Sequence, residues 1–367
     1  MTSSDNSAPL RLLLLDGDGI SSEIMEVACE VLESVNRSYD LGLALNLESV
    51  GLDALERCGL TITDDTIARA RAADGVVLGP ASTYEYPPRE AGGINVSAEL
   101  RIALDLYANI RPSVVRVGVN SVASPFDLVV VRENTEGFYA DRNMTWGPGE
   151  FQPTPDVALA IRKITRQACR RIATVAFELA RERRRRVTMV HKANVLKLTD
   201  GLFVNEVRQI ATSYPEVVLD GMIIDAMAAK LVLNPQAFDV IVTTNMYGDI
   251  LSDEAAALSG GLGLAGSLNA GDEHAMAQAV HGSAPDIAGR GIANPAAILL
   301  SCSMLLAWLA RRKRRPVLAT AATAIDRAVN AALLDHSCRT PDLGGSATTK
   351  NFSDVVLAAL ADDHHGE

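Results

Sequence analysis

Short apolar blocks alternate along the chain with longer stretches of helical period. Residues 10–15 (LRLLLL) read as a buried strand, and residues 21–35 as the amphipathic helix that follows. Residues 72–78 repeat the strand, residues 128–131, 186–190 and 238–243 add three more, and residues 162–184 carry the period of a helix. This alternation predicts an α/β fold. Polar groups gather just past the strand ends, at Asp16 to Gly19, Arg132-Glu133-Asn134, His191-Lys192 and Thr244-Asn245. In α/β sheets that edge is where ligands bind. The Gly-rich, low-charge residues 260–266 predict a hinge or domain crossing. The breaker-rich residues 146–155 (WGPGEFQPTP) predict an excursion from the body of the domain.

A length of 367 residues suggests about two domains, and 48% apolar with 22% charged residues places the chain among soluble globular proteins. The net charge of −11 opposes a main task of gripping nucleic acid, for which a basic face supplies most of the affinity. The Arg-rich runs 181–186 and 311–315 read as solvated helix ends. Five scattered cysteines without a CxxC pair fit reduced thiols, hence a cytoplasmic setting. Residues 10–15 are too short for a signal-peptide core, and the apolar stretch 296–309 stops short of a membrane span. No membrane partner is expected.

Several residues can carry chemistry. Asp249 and Asp253 stand four apart. At the start of a helix both would lie on one face, within reach of a hard divalent cation, or would serve as acids favourable to the helix N-terminus. Lys192 at a strand end is a proton shuttle or a surface lysine, and Tyr139 a second acid or a core residue. Arg101, Arg111 and Arg132 suit bidentate clamping of a di- or tricarboxylic acid, or salt bridges to surface acids. The dinucleotide pattern G-x-G-x-x-G begun by Gly17 and Gly19 fails at Ser22, so this signal gives a Rossmann assignment little support. His281 has no His or Cys at zinc spacing.

Together these segments resemble the β-decarboxylating dehydrogenase family of isocitrate, 3-isopropylmalate, homoisocitrate and tartrate dehydrogenases. The match runs from Leu15-Asp16-Gly17-Asp18-Gly19-Ile20 to Arg339-Thr340-Pro341-Asp342-Leu343-Gly344-Gly345. Its most specific blocks are Asn245-Met246-Tyr247-Gly248-Asp249-Ile250-Leu251-Ser252-Asp253-Glu254 and His281-Gly282-Ser283-Ala284-Pro285-Asp286-Ile287-Ala288-Gly289 with Asn294-Pro295.

The resemblance implies an isocitrate/isopropylmalate dehydrogenase-like α/β fold of two domains. Residues 1–106 with 260–367 would form a large cofactor-binding domain, and 107–259 a small one with a dimerisation arm near 141–157. It implies a homodimer with shared active sites. Asn95, Ser97, Arg101, Arg111 and Arg132 would bind a 3-substituted malate. Tyr139 would protonate the enol, and Lys192 of the second subunit would act on the base side. Asp249 and Asp253, with Asp225 of that second subunit, would hold Mg²⁺ or Mn²⁺. Thr83, Asn194, His281, Gly282, Ser283, Ala284, Asp286 and Asn294 would contact the cofactor, and Asp286, whose carboxylate would repel a 2′-phosphate, implies NAD.

The chain departs from the family pattern in places. Asp16 stands where Pro is usual and Ser21 where Gly is usual, and Ala277-Gln278-Ala279 replace a common Phe-Glu-Pro. Isopropylmalate enzymes place leucines at the positions of Ser97 and Ala98, and a buried alkyl group gains about 0.8 kcal/mol per CH₂. Homoisocitrate enzymes can carry Arg at the Ala98 position. Isocitrate enzymes carry Ser and Asn where Asn95 and Ser97 stand, in swapped order. A polar pocket points to isocitrate or a similar malate with an acidic substituent, a phosphonomethyl group included. The alternatives are 3-isopropylmalate, then tartrate or malate, and an inactive regulatory paralogue.

Overall fold

The computed structural model describes residues 9–139, 144 and 149–365, in the last three the backbone alone. In chain order the elements are β1 (Leu10–Asp16), α1 (Ser21–Tyr39), β2 (Leu43–Ser49), α2 (Leu52–Cys58), α3 (Asp64–Ala72), β3 (Gly75–Leu78), α4 (Val96–Ala103), β4 (Ala108–Val114) and β5 (Asp127–Glu133). There follow β6 (Glu150–Thr154), β7 (Val157–Ala160), α5 (Arg166–Arg181), β8 (Arg186–His191), α6 (Thr199–Ala211), β9 (Val218–Ile223), α7 (Ile224–Leu233), β10 (Val240–Thr243) and α8 (Asn245–Ser259). The last are β11 (Leu268–Ala270), β12 (Ala275–Gln278), α9 (Ala296–Lys313), α10 (Pro316–Leu334) and α11 (Thr349–His365).

The chain divides into two compact units, residues 1–96 with 274–367, and residues 97–273. The second unit takes in residues 97–106 and 260–273, which the expected boundaries give to the first. The Gly-rich stretch at 260–266 therefore ends α8 within one unit instead of crossing between two. Gly260 (φ 136) and Gly261 (φ 123) take a backbone conformation that a side chain would disfavour.

In the first unit β1 pairs in parallel with β2 and β3, and β3 in parallel with β12. The run of leucines in β1 is continuous because both faces of the strand are covered. α1 buries Ile24, Ala28, Val31 and Val35 at helical spacing and packs on α9 and α11. α10 is long and apolar enough to cross a membrane by length and composition. It packs against α9 and α11, burying Leu318, Ile325 and Val329.

In the second unit β5, β10, β8 and β9 run parallel, while β4 joins β5 and β11 antiparallel. The expected strand at 128–131 shows why an unbroken apolar run forms here. Val129 and Val131 enter one core with Phe177 and Ile172 of α5, while Leu128 and Val130 enter another with Leu251 and Ala255 of α8. Alternate residues of one strand thus serve helices on opposite faces. The expected arm near 141–157 lies partly outside the described residues. Its described part belongs to the antiparallel hairpin β6–β7, every residue of which is exposed.

Candidate active site

Arg111 and Arg132 lie on neighbouring strands, β4 and β5, and both are buried. Arg132 pairs in register with Thr243 at the end of β10, and the chain turns there directly into α8. That turn brings Asn245, Asp249 and Asp253, four residues apart on one helix face, over the two guanidinium groups. The Asn245 amide oxygen accepts from Nε and Nη2 of Arg132 at 2.9 and 2.7 Å, and Nη1 of the same group pairs with Asp249. Arg111 Nη1 lies 3.1 Å from both Asp249 and Asp253 and donates to Ser252 Oγ at 2.8 Å. Its Nε donates to Asn109. A Cβ on Gly248 would stand 2.6 Å from the Cβ and Cγ of Arg132, so glycine there lets the helix approach the strand this closely.

The two acids do not begin the helix, as one reading of the sequence allows. α8 starts at Asn245 and has no acid in its first turn, so favourable placement at a helix N-terminus does not account for them. Their setting is instead a charged stack. The arginine side chains are 8% and 4% exposed, whereas the Asp249 and Asp253 carboxylates are 37% and 50% exposed. Burial, then the repulsion of Arg111, lowers Arg132 to about 10, against the pull of Asp249. Burial and Asp249 raise Asp253, against the pull of Arg111. Two crowded carboxylates open to solvent are a hard-oxygen donor set that a divalent cation would relieve.

Tyr139 follows Gly137, whose backbone pairs with Lys163, and is half-buried. It is close enough to Arg132 to act on its charge, which joins it to this group. Arg101 stands half-buried on the last turn of α4, with Ser97 half-buried and Ala98 buried on the same helix. Asn95, in the first unit, is half-buried.

Lys192 and Asp225 form a pair of their own, from the end of β8 and the first turn of α7. The hydrogen bond from Lys192 holds the exposed Asp225 carboxyl below the usual range. Among the described residues no three acidic, His or Cys groups converge closely enough to hold a metal ion, so Asp225 does not join Asp249 and Asp253 within one chain. Asn194 lies exposed in the turn after Lys192.

The residues expected at the cofactor lie in the first unit, apart from Asn194. Ser283 is buried; its carbonyl accepts from Ile20 N–H at 2.8 Å and its hydroxyl meets Ser82 Oγ at 2.8 Å, beside the half-buried Thr83. Ala284 takes a left-handed conformation (φ 40), Gly282 is exposed, and Asp286 presents an exposed carboxylate. His281 Nδ1 faces the Gly282 carbonyl, which can only accept, at 3.0 Å, and among the described residues its buried Nε2 has no hydrogen-bond partner. Asn294 is already engaged: Oδ1 accepts from Ala296 N–H at 2.9 Å, at the start of α9, and Nδ2 donates to Asp342 at 2.9 Å.

Sequence reasoning gave no role to Asn109, Asn245 or Ser252, which fix the guanidinium groups. The spacing of Asn245 from Asp249 and Asp253 was the available signal. The two departures in the first loop also prove to be one feature. Ser21 Oγ donates to Asp16 at 2.6 Å and accepts from Gly17 N–H at 2.7 Å.

The family model described as isocitrate/isopropylmalate dehydrogenase matches residues 11–356. An isocitrate/homoisocitrate dehydrogenase of Thermus thermophilus is 42% identical over 95% of this chain and 98% of its own. A 3-isopropylmalate dehydrogenase of Archaeoglobus fulgidus is 41% identical over 95% and 99%. The crystal structure of isocitrate dehydrogenase from Methylococcus capsulatus superposes with a TM-score of 0.84 at 38% identity, covering 96% of this chain and 99% of that one. Likeness of this extent at both sequence and fold level makes the chain a decarboxylating dehydrogenase of the isocitrate/isopropylmalate dehydrogenase family.

Proposed function

We propose that the chain catalyses NAD-dependent oxidative decarboxylation of a (2R,3S)-3-substituted malate with an acidic substituent, isocitrate first among them. The observation that carries this reading is the pair of buried guanidiniums, Arg111 and Arg132, beneath the open carboxylates of Asp249 and Asp253. Two arginines and two aspartates cancel in charge, so the pocket has a place for a dication and a polyanionic acid together. Asp249 and Asp253 would hold Mg²⁺ or Mn²⁺, with Asp225 from a second copy completing the set. When bound, the cation would supply Lewis-acid chemistry and NAD would supply a hydride acceptor.

The chain's own groups do the rest. Arg101, Arg111 and Arg132 grip the malate carboxylates and fix the reacting carbons. Lys192 takes the 2-hydroxyl proton as hydride leaves carbon 2. The bond from carbon 3 to its carboxylate then breaks, CO₂ departs, and Tyr139 returns a proton to carbon 3. Ser97 and Ala98 present no large apolar wall to the substituent, with Asn95 close by in sequence. A second reading, 3-isopropylmalate, is favoured by the nearly equal identity of the Archaeoglobus enzyme.

Shared sites require a homodimer. The wholly exposed β6–β7 hairpin supports one, because a lone two-stranded hairpin is marginally stable and this one carries exposed Phe151, Val157 and Leu159. Five unpaired cysteines support a reducing, cytoplasmic setting. Exposed Asp286 supports NAD over NADP, since a carboxylate repels a 2′-phosphate. Initial rates with Mg²⁺ and isocitrate test the whole reading. Turnover with NAD and a lower kcat/KM with NADP are expected, and a preference for NADP would contradict the cofactor assignment.

A further inference from the structure

Behind the Lys192 turn lies a buried ion pair outside the charged stack. Arg162, just past β7, has a side chain 7% exposed, and its partner Asp200, in the first turn of α6, is fully buried. Arg162 Nη1 pairs with Asp200 Oδ1 and donates to Thr199 Oγ1 at 2.9 Å, while Nη2 donates to Thr244 Oγ1 at 3.0 Å, at the entry to α8. The guanidinium is also within cation–π distance of two rings, 5.7 Å from the Phe138 centroid and 5.2 Å from that of Tyr247. The other oxygen of Asp200 accepts the backbone N–H of Lys192 at 2.5 Å. The turn closes on itself as well: the Lys192 carbonyl accepts from Val195 and Leu196, and the Leu196 carbonyl from Asp200 N–H.

We propose that Asp200 is a positioning residue for the reaction, holding the Lys192 turn by its backbone N–H and itself oriented by Arg162 against the entry to α8. This rests on the reading of Lys192 as the base-side group. A buried ion pair is a poor source of net stability, because taking two charges out of water offsets most of their attraction. Orientation is what such a pair can supply. The forked guanidinium is required for it, since one group binds Asp200, Thr199 and Thr244 at once and an ammonium presents no planar fork.

A double-mutant cycle separates positioning through Lys192 from a general structural role. Asp200→Ala should lower kcat about 30-fold, as expected for a misplaced reacting group, with both KM values within about threefold of the parent. In a Lys192→Ala background the same substitution should lower kcat no further, because residues acting as one unit are not additive. Asp200→Asn, which retains an acceptor for the Lys192 N–H, should recover part of the lost kcat. Arg162→Lys, a milder change if Asp200→Ala does not fold, should lower kcat about fivefold, again only where Lys192 is present. Multiplicative losses in the Lys192→Ala background, or a rise in KM at constant kcat, would overturn the proposal. Full activity of Lys192→Ala itself would instead remove the reading on which it stands.

Discussion

Arg132 shows how much of the charged stack one residue organises. Its three nitrogens reach Asn245 twice and Asp249 once, so shape and charge are both used. Lysine keeps the charge but cannot span both partners, and would leave the Asn245 amide oxygen without its donors. Arg132→Lys should therefore lower kcat/KM for the malate substrate by about 100-fold or more, measured by initial rates. A loss below tenfold would show that charge alone suffices.

His281 offers a test in the first unit. Burial lowers its pKa from the ordinary 6.5, so between the folded value and 6.5 the unfolded chain binds more protons. The neutral ring's contribution to stability is complete above pH 6.5 and is lost as pH falls toward the folded value. Urea midpoints followed from pH 7.5 downward should fall less steeply in His281→Gln than in the parent, and parallel curves would contradict this. The arginines and aspartates were legible one by one in the sequence. Their fixing partners, Asn109 and Ser252, were not, because only strand pairing and the approach of α8 bring them into reach.

At the scale of elements, the strands read from apolar runs are present at 10–16, 75–78, 127–133, 186–191 and 240–243. The helix expected over 162–184 instead covers Arg166–Arg181. Thr165 caps it by accepting from Ala168 N–H at 3.2 Å, and the Gly137–Lys163 bridge draws the preceding residues away. A cap and a backbone bridge both override the periodicity that predicts a longer helix. Periodicity also does not register the alternation of residues 128–131 between two cores, since a strand covered on both faces is apolar throughout.

Asp16 and Ser21 replace a usual Pro and Gly as a pair, the serine hydroxyl bridging the Asp16 carboxylate and Gly17 N–H. Ser21→Ala should cost about 1–2 kcal/mol of stability, because it removes two hydrogen bonds from a part-buried turn. Chemical denaturation reads this directly, and an unchanged midpoint would mean that Ser22, which also donates to Asp16, takes over.

For the whole molecule, the second compact unit carries the charged stack and the first most of the residues expected at the cofactor. The proposed arrangement, in which Lys192 and Asp225 serve a neighbouring copy, would explain why these two stand as a separate pair in one chain. Light scattering should accordingly give a mass near twice 39.0 kDa, and a monomer with full activity would exclude shared sites. The family was legible in the sequence because whole blocks stand in order; the substrate was not, because only the few residues at 95–98 are expected to read its substituent.

The preference proposed for this enzyme is for an acidic substituent on carbon 3. It is tested most directly by presenting equal concentrations of isocitrate and 3-isopropylmalate together, with NAD and Mg²⁺, and following both 2-oxo acid products by mass spectrometry. The product ratio equals the ratio of kcat/KM, so no other property of the enzyme enters. The account predicts that 2-oxoglutarate forms faster. Faster formation of the branched-chain 2-oxo acid would contradict it, and would mean that walls other than Ser97 and Ala98 hold an alkyl group.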